Sequence, residues 1–381
     1  MKTRTSEAET QAQAGTISVA LTHHEPRRYD ILVQNGLLRE IGTACASVLP
    51  SVGRVLVLTD SNLADHYLPI VQNSLQEAGF SVFSCVIPAG ESSKTLEQAQ
   101  KVYDAALAAN LSRKDTILGL GGGVIGDLAG FCASTWHRGA QLIHVPTTLV
   151  AQVDSAIGGK TAVNFGQVKN MVGTFYQPRM VLADPETLQT LPPRELSAGL
   201  AEVVKYGLIE TSCTGETGFF DWLVEHADHL EHALPEMIRR CAAIKAAVVM
   251  QDETETKGLR HFLNLGHTFG HAYESLSGYN ILHGEAVAIG LEQAARLSVH
   301  LDLLPESLYQ QVSPLLTKLG LGHALAQQTN YPPEALIAAM RQDKKNLGDC
   351  IRLILPEQAL GRVTVRTDIP AELILQVLSG K

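Results

Sequence analysis

The sequence is poor in the features that mark membrane, secreted and nucleic-acid-binding proteins. Its 381 residues contain no run of 18 apolar residues, so we expect no transmembrane helix. The six cysteines are scattered and form no CxxC pair, which predicts reduced thiols in a cytoplasmic protein. The net charge of −9 argues against a nucleic-acid partner. Residues 1–15 are polar and lack an apolar core, which predicts a disordered tail and neither a signal peptide nor an anchor.

From Thr16 onward the sequence contains short apolar runs that alternate with amphipathic stretches. The runs predict strands over Ile17–Leu21, Tyr29–Val33, Arg54–Leu58, Ser81–Ile87, Thr116–Gly119, Gln141–Val145 and Met180–Ala183. The intervening stretches predict helices, among them Leu63–Ala78, Leu96–Ala109 and Gly126–Ser134. Strands that alternate with helices indicate an α/β unit with a largely parallel sheet covered on both faces.

After Pro193 the periodicity becomes mainly helical. It predicts helices over Arg194–Ile209, Gly218–His229, Leu234–Asp252, Gly258–Leu276, Gly284–His300, Pro305–Leu319 and Pro333–Arg341, then strands over Ile351–Ile354 and Gly361–Val365. We therefore expect a tail over residues 1–15, an α/β domain over 16–185 and a mainly α-helical domain over 186–381.

A glycine-rich segment, Gly121 to Gly123, follows a predicted strand and opens a predicted helix. With Gly126 it matches G-x-G-x-x-G, a pattern typical of nucleotide-binding loops, because glycines admit a pyrophosphate and the start of a helix favours an anion. A plain glycine turn is the alternative. No acidic residue follows about twenty positions later to bind a ribose hydroxyl. Asp60 and Asn62, after another predicted strand, are the candidates for that role.

Two further segments combine charged residues with glycine, serine or threonine. Pro88–Lys94 is either a solvated turn that caps the next helix or part of a ligand site. Residues 145–170 contain Asp154, paired glycines and the lysines Lys160 and Lys169, a composition that suits a negatively charged ligand held by ammonium and backbone N–H groups. An irregular surface loop is the alternative.

Histidines cluster with other polar residues in the helical half. If residues 258–276 form one helix, four polar side chains lie along one face of it, namely Arg260, Asn264, His267 and His271. Histidines on adjacent turns can bind Zn²⁺, and His283 offers a third nitrogen, although a polar helix surface is the alternative. The H-E-x-x-H motif is absent. Glu202 has apolar neighbours in a predicted helix, where an unpaired carboxylate would be costly, so it is a candidate to meet a metal or another cation.

Seven motifs occur together and in order: GGGVIGD, VPTTL, DSAIGGKTAVN, KNMVGTFYQP, PPRELSAGLAEVVKYG, GLRHFLNLGHTFGHAYE and HGEAVAIG. Through them the chain, from about Ile17 to its C-terminus, resembles the 3-dehydroquinate synthases of the sugar-phosphate cyclase family. The resemblance implies an N-terminal NAD-binding domain, a mainly helical domain that binds metal and substrate, and an active site in the cleft between them. It also implies a homodimer that acts on a small, anionic, phosphorylated sugar acid.

Carried over position by position, the resemblance assigns three sets of residues. The metal, Zn²⁺ or Co²⁺, falls to Glu202, His267 and His283, so that His271 becomes a substrate or proton-transfer residue. NAD falls to Asp60, Asn62, Glu91, Lys94, Gly122, Gly123, Val124, Ile125, Gly126, Asp127, Thr147, Thr148, Lys160, Lys169, Thr187, Leu188, Gln189 and Thr190. The catalytic and substrate-binding set is Arg138, Asp154, Lys160, Asn170, Lys205, Lys245, Arg260, Asn264, His271 and Lys345, with Lys344 as the alternative to Lys345.

The resemblance implies a lyase of the shikimate pathway. Such an enzyme converts 3-deoxy-D-arabino-heptulosonate 7-phosphate to 3-dehydroquinate and phosphate by transient oxidation with NAD, phosphate elimination, re-reduction and aldol closure. Two other enzyme classes are alternatives, a sister cyclase such as amino-dehydroquinate synthase and an NAD- and metal-dependent polyol dehydrogenase. A catalytically idle NAD-binding regulator is the alternative from outside the enzymes.

Overall fold

A computed structural model describes residues 28–166, 168–278, 280–326, 330–342 and 350–380. Their strands are β1 (Asp30–Val33), β2 (Arg54–Asp60), β3 (Ser81–Ile87), β4 (Thr116–Gly121), β5 (Gln141–Pro146), β6 (Lys160–Phe165), β7 (Val168–Phe175), β8 (Met180–Ala183), β9 (Leu353–Glu357) and β10 (Ala359–Arg366). Six of these described strands form a parallel sheet in the order β1-β8-β5-β4-β2-β3, which confirms the predicted α/β fold. The tail and the predicted strand Ile17–Leu21 lie outside the described residues.

Helices cover both faces of the sheet. The described α-helices are α1 (Ile41–Val48), α2 (Ala64–Glu77), α3 (Leu96–Ala108), α4 (Gly123–Thr135), α5 (Pro193–Thr214), α6 (Phe219–His226), α7 (Leu230–Gln251), α8 (His267–Leu276), α9 (His283–His300), α10 (Glu306–Leu316), α11 (Gly322–Leu325), α12 (Pro333–Arg341) and α13 (Ala371–Leu378). Alternate residues of a strand point to opposite faces. Val55 and Val57 therefore share a core with α1 and α2, whereas Leu56 and Leu58 share one with α3 and α4.

The helical half of the chain is built around α5 and α9. Continuous stretches of both helices are buried, from Ala198 to Glu210 and from Gly284 to Ala295. Helices buried on all sides form the centre of a core, and the other helices pack around these two. In the part of the chain that the structure describes, no helix has the length and apolar character needed to cross a membrane. The division into domains at residue 186 stays a prediction.

The expected single helix over Gly258–Leu276 is wrong. The chain forms a 3₁₀ segment, Leu259–Asn264, and the α-helix begins only at His267 after Gly266 turns with φ of 77°. Gly266 packs directly on α9, where a Cβ atom would lie 2.8 Å from the backbone nitrogen of Leu291. This close backbone approach fixes the break. Arg260 and Asn264 therefore do not share a helical stripe with the histidines, although His267 and His271 still occupy adjacent turns of α8.

An antiparallel hairpin, β6 with β7, occupies the segment before β8. No strand was predicted there from the sequence. The hairpin lies on α4, where Gly130 leaves room for the side chain of Thr161, and its strands approach so closely that Gly173 meets the backbone of Thr161. Lys160, Lys169 and Asn170 are thus held on paired strands.

A buried histidine links the sheet to α4. His144 on β5 is buried, and Cβ atoms built on Gly119 and Gly126 would lie 3.6 Å and 3.8 Å from its Nδ1 atom. Nδ1 has no hydrogen-bond partner among the described residues. Burial lowers the pKa of this imidazole from 6.5 to about 4.

We expect His144 to make the free energy of unfolding decrease as the pH falls. Its neutral form is favoured in the fold, so its contribution is complete above pH 6.5 and declines as pH falls towards 4. Between pH 7 and pH 5 the unsubstituted chain should lose about 2 kcal/mol more unfolding free energy than His144→Gln. Denaturant unfolding at both pH values measures this, with His66→Gln at an exposed position as control. Equal losses in all three proteins would contradict the prediction.

Candidate active site

The glycine segment forms a cradle at the carboxyl ends of the strands. It connects β4 to α4, and Cβ atoms built on Gly122 and Gly123 would lie 3.0 Å from Thr148 and 3.2 Å from Ser155. The first backbone N–H groups of α4 have no partner within their own helix and favour an anion. Of the other residues assigned to this loop, Ile125 is buried in the core, so its backbone alone is available. The cradle fits a phosphate.

Neighbouring strands supply the rest of a nucleotide site. β2 and β5 flank β4, so Asp60 and Thr147 lie at the same edge of the sheet as the cradle. The Asp60 carboxylate accepts a hydrogen bond from the Asn62 backbone at 2.9 Å, and burial raises its pKa. The buried hydroxyl of Thr147 has no hydrogen-bond partner among the described residues. An unsatisfied hydroxyl and a partly buried carboxylate beside a glycine cradle fit a dinucleotide such as NAD.

The loop that follows β3 is tied to the same region. The Lys94 ammonium contacts the side chains of Asp127 and Asn170, and Glu91 accepts a hydrogen bond from Asn164 at 2.8 Å. Lys94 is buried, so the alternative of a solvated turn is wrong at this residue. Other predicted cofactor contacts are less available. Those from Thr187 to Thr190 lie in a 3₁₀ segment, where the two threonine hydroxyls bind Gln152 and Tyr67 and Leu188 is buried.

Glu202, His267 and His283 converge at the junction of α5, α8 and α9. Oε1 of Glu202 lies 3.7 Å from Nε2 of His267 and 3.4 Å from Nε2 of His283. One potential ligand atom from each residue lies within 4.8 Å of the other two. Glu202 is buried, whereas the side chain of His283 is 40% exposed. A carboxylate and two imidazoles with one open side are typical of a catalytic metal site.

The second nitrogen of each imidazole is already engaged. Nδ1 of His267 lies 3.1 Å from the Leu265 carbonyl, and Nδ1 of His283 lies 3.0 Å from Oε2 of Glu274. Both partners accept hydrogen bonds, so Nδ1 is the donor in each ring and Nε2 is the atom that would bind a metal at the centre. Glu274 is a site residue that was not predicted from the sequence. Its position seven residues after His267, two turns along α8, was the signal that could have found it.

The electrostatics of this cluster favour a cation. Burial raises the pKa of Glu202, but Lys205 and His267 outweigh it and hold that pKa below its usual range. Burial lowers the pKa of His283, but Glu202 and Glu274 outweigh it and raise the value to about 10. The donor set therefore fits Zn²⁺ or Co²⁺. His271, with its ring 5.5 Å from that of His267, forms a second possible group with Glu274 and His283, but Glu274 is already engaged by His283 and lies 3.9 Å from Lys169.

A buried ion network lies beside the cluster. Asp154, in a π-helical turn after β5, accepts hydrogen bonds from Lys205 at 2.9 Å and from Tyr206 at 3.1 Å, and it also contacts Lys245. Burial raises the pKa of Asp154, but the two lysines hold it well below the usual range. Lys205 also contacts Glu202, so the network reaches the candidate metal centre.

Arg260 adds a buried guanidinium to this network. Lys205, Lys245 and Arg260 together form a cationic wall of the candidate site. Nη2 of Arg260 donates to the Gly158 carbonyl at 2.8 Å, and its Nε has no hydrogen-bond partner among the described residues. Asn264 donates to the Arg260 carbonyl at 3.4 Å, and Lys160 contacts Glu255. The wall thus presents donors that suit a carboxylate or a phosphate.

Among the described residues, one predicted site residue, Arg138, is not brought to this region. Arg138 follows α4 and precedes β5, so it lies at the opposite edge of the sheet from Thr147, about 17 Å away along the strand. Lys345 and its alternative Lys344 lie outside the described residues. Gln189 is described but exposed, at the end of the segment occupied by Thr187.

Known proteins are similar to this chain in sequence and in fold. The family described as "3-dehydroquinate synthase N-terminal" matches residues 84–198, and "3-dehydroquinate synthase C-terminal" matches residues 199–346. The chain is 46% identical over 370 residues to a 3-dehydroquinate synthase from Desulforamulus reducens, which covers 96% of this chain and 99% of that protein.

Two solved structures of cyclases are similar over nearly the whole chain. One is a 2-epi-5-epi-valiolone synthase from Streptomyces hygroscopicus subsp. jinggangensis with NAD⁺ and Zn²⁺ bound, at 29% identity and a TM-score of 0.83, covering 95% of this chain and 98% of that one. The other is a 2-deoxy-scyllo-inosose synthase with carbaglucose-6-phosphate, NAD⁺ and Co²⁺, at 28% identity and a TM-score of 0.78, covering 92% and 96%. Given the family matches over more than half of its length and a relative at 46% identity, the chain belongs to the 3-dehydroquinate synthase family.

Proposed function

We propose that the chain converts 3-deoxy-D-arabino-heptulosonate 7-phosphate to 3-dehydroquinate and phosphate, with NAD and Zn²⁺ or Co²⁺. The observation that carries the proposal is the cluster of Glu202, His267 and His283 beside three buried cationic side chains, at the edge of the sheet that bears the glycine cradle. Family membership supports the same reaction. We further propose that the enzyme acts in the cytoplasm as a homodimer, as the resemblance implies.

The residues have distinct tasks in this proposal. When bound, NAD would accept and return a hydride, and the metal would polarise a substrate hydroxyl. Glu202, His267 and His283 hold the metal, and the cradle at Gly122 and Gly123 holds the pyrophosphate.

The substrate itself meets the cationic wall. Arg260 and Lys245 offer charge-assisted hydrogen bonds to its carboxylate and phosphate. His271, beside the metal ligands but outside the set, moves a proton to or from a substrate oxygen. Fixed polar groups that hold one substrate through successive steps lower each barrier by preorganisation.

The reaction is tested by incubating the purified chain with 3-deoxy-D-arabino-heptulosonate 7-phosphate, NAD⁺ and Zn²⁺. We expect equimolar phosphate and 3-dehydroquinate without net accumulation of NADH, because the hydride is returned in each turnover. Absence of phosphate release would refute the proposal. Accumulation of NADH would indicate the polyol dehydrogenase, and turnover of an amino analogue alone would indicate the sister cyclase.

The two histidines of α8 should separate metal binding from proton transfer. His267→Ala removes a ligand and should weaken Zn²⁺ binding by more than the roughly 100-fold that loss of an outer partner costs. His271→Ala should keep the metal and lower kcat by about 10²- to 10⁴-fold, the usual contribution of a general acid or base. Metal content after dialysis and steady-state kinetics measure both effects. Loss of metal from His271→Ala would favour the alternative group that contains His271, Glu274 and His283.

A further inference from the structure

Helix α5 meets the start of α9 through three successive contacts. Residues four apart on α5 each touch one of three consecutive residues on α9, and the pairs are Arg194 with Glu285, Ala198 with Gly284, and Glu202 with His283. Residues spaced by four lie on one face of a helix. One end of this row of contacts is therefore an ion pair, and the other end is two of the three candidate metal ligands.

The ion pair is forked and anchored on a buried carboxylate. Nε and Nη2 of Arg194 donate to Oε1 and Oε2 of Glu285 at 2.6 Å and 2.7 Å. Glu285 is fully buried and also accepts from the Leu282 backbone at 2.9 Å and from His323 at 2.8 Å. A buried carboxylate is costly without donors, so loss of Arg194, whose side chain is 55% exposed, would favour movement of Glu285 and the first turn of α9 towards water.

The central contact acts as a fixed point. A Cβ atom built on Gly284 would collide with the carbonyl oxygen of Ala198, so the two backbones touch without a side chain between them. Movement of Glu285 away from Arg194 would turn the first residues of α9 about this contact. His283, on the other side of Gly284, would then shift relative to Glu202.

We propose that the Arg194–Glu285 ion pair is a positioning device that sets the separation of Glu202 and His283, and through it the affinity and coordination geometry of the metal. The inference rests on the proposed metal site. Neither Arg194 nor Glu285 is a metal ligand in it. A purely structural role for the pair would lower stability alone and leave the metal site unchanged.

The test compares Zn²⁺ affinity and the visible absorption of the Co²⁺-loaded protein. Arg194→Ala should raise the Zn²⁺ dissociation constant by up to about 10-fold, the lower end of the range for groups that bond directly to metal ligands, because Arg194 acts through Glu285. It should also change the intensity of the Co²⁺ bands, which reports coordination geometry. Arg194→Lys keeps the charge but loses the fork, so an intermediate dissociation constant is expected. This variant also serves if Arg194→Ala does not fold.

A matched control is available near the C-terminus, at Arg366. Arg366, the last residue of β10, also forms a forked pair, with Asp368 at 2.7 Å and 2.8 Å, but here the carboxylate is exposed and not buried. Arg366→Ala should leave the Zn²⁺ dissociation constant within about twofold, since exposed pairs contribute little.

Two outcomes would overturn the inference, and they are distinguishable. If Arg194→Ala, or Arg194→Lys in its place, lowers the Tm while Zn²⁺ affinity and Co²⁺ spectrum match those of Arg366→Ala, the pair is structural only. If His267→Ala binds Zn²⁺ as tightly as the unsubstituted chain, the proposed metal site is wrong and the inference falls with it.

Discussion

One buried ammonium group, that of Lys205, joins the two halves of the candidate site. Lys205 is fully buried on α5 and contacts both Asp154, in the turn after β5, and Glu202, the candidate metal ligand. Burial lowers the pKa of this lysine, but the two carboxylates outweigh burial and raise it above its usual range. The three charges are stable in the interior only together, because removal of one leaves the others uncompensated. This mutual dependence fixes α5 against the carboxyl edge of the sheet.

Around that network, close backbone contacts set the positions of the ligand-bearing helices. Gly266 packs on Leu291 and Gly284 packs on Ala198, so the starts of α8 and α9 are located by atoms that have no rotamers. His267 and His283 are the first residues of these two helices. Backbone packing thus fixes the positions of these two residues, and hydrogen bonds at Nδ1 fix the orientation of their rings.

Periodicity was sufficient to predict the parallel sheet and most helices, because buried strands and amphipathic helices leave strong patterns. It failed at Gly266, since a glycine within a helical pattern either continues or ends the helix, and here contact with α9 decided the outcome. The hairpin β6–β7 was missed because it packs on α4 with much of its surface exposed, and its Gly, Lys and Asn content resembles that of a loop. Glu274 could have been predicted from helical spacing, because it lies seven residues after His267 and therefore on the same face of the helix.

The net charge of −9 did not reveal the electrostatic character of the candidate site. Charges at the surface are screened by water and salt, whereas those in the interior act at short range in a medium of low dielectric constant. Among the described residues of the site, buried Lys205 contacts Asp154 and Glu202, and buried Lys245 contacts Asp154. Buried Arg260 donates to the Gly158 carbonyl. Nε of Arg260 has no hydrogen-bond partner among the described residues, and a divalent metal at Glu202 would add positive charge to the site. A chain that is acidic overall can thus bind an anion at one site, because buried cations there act locally while the surface charge is screened.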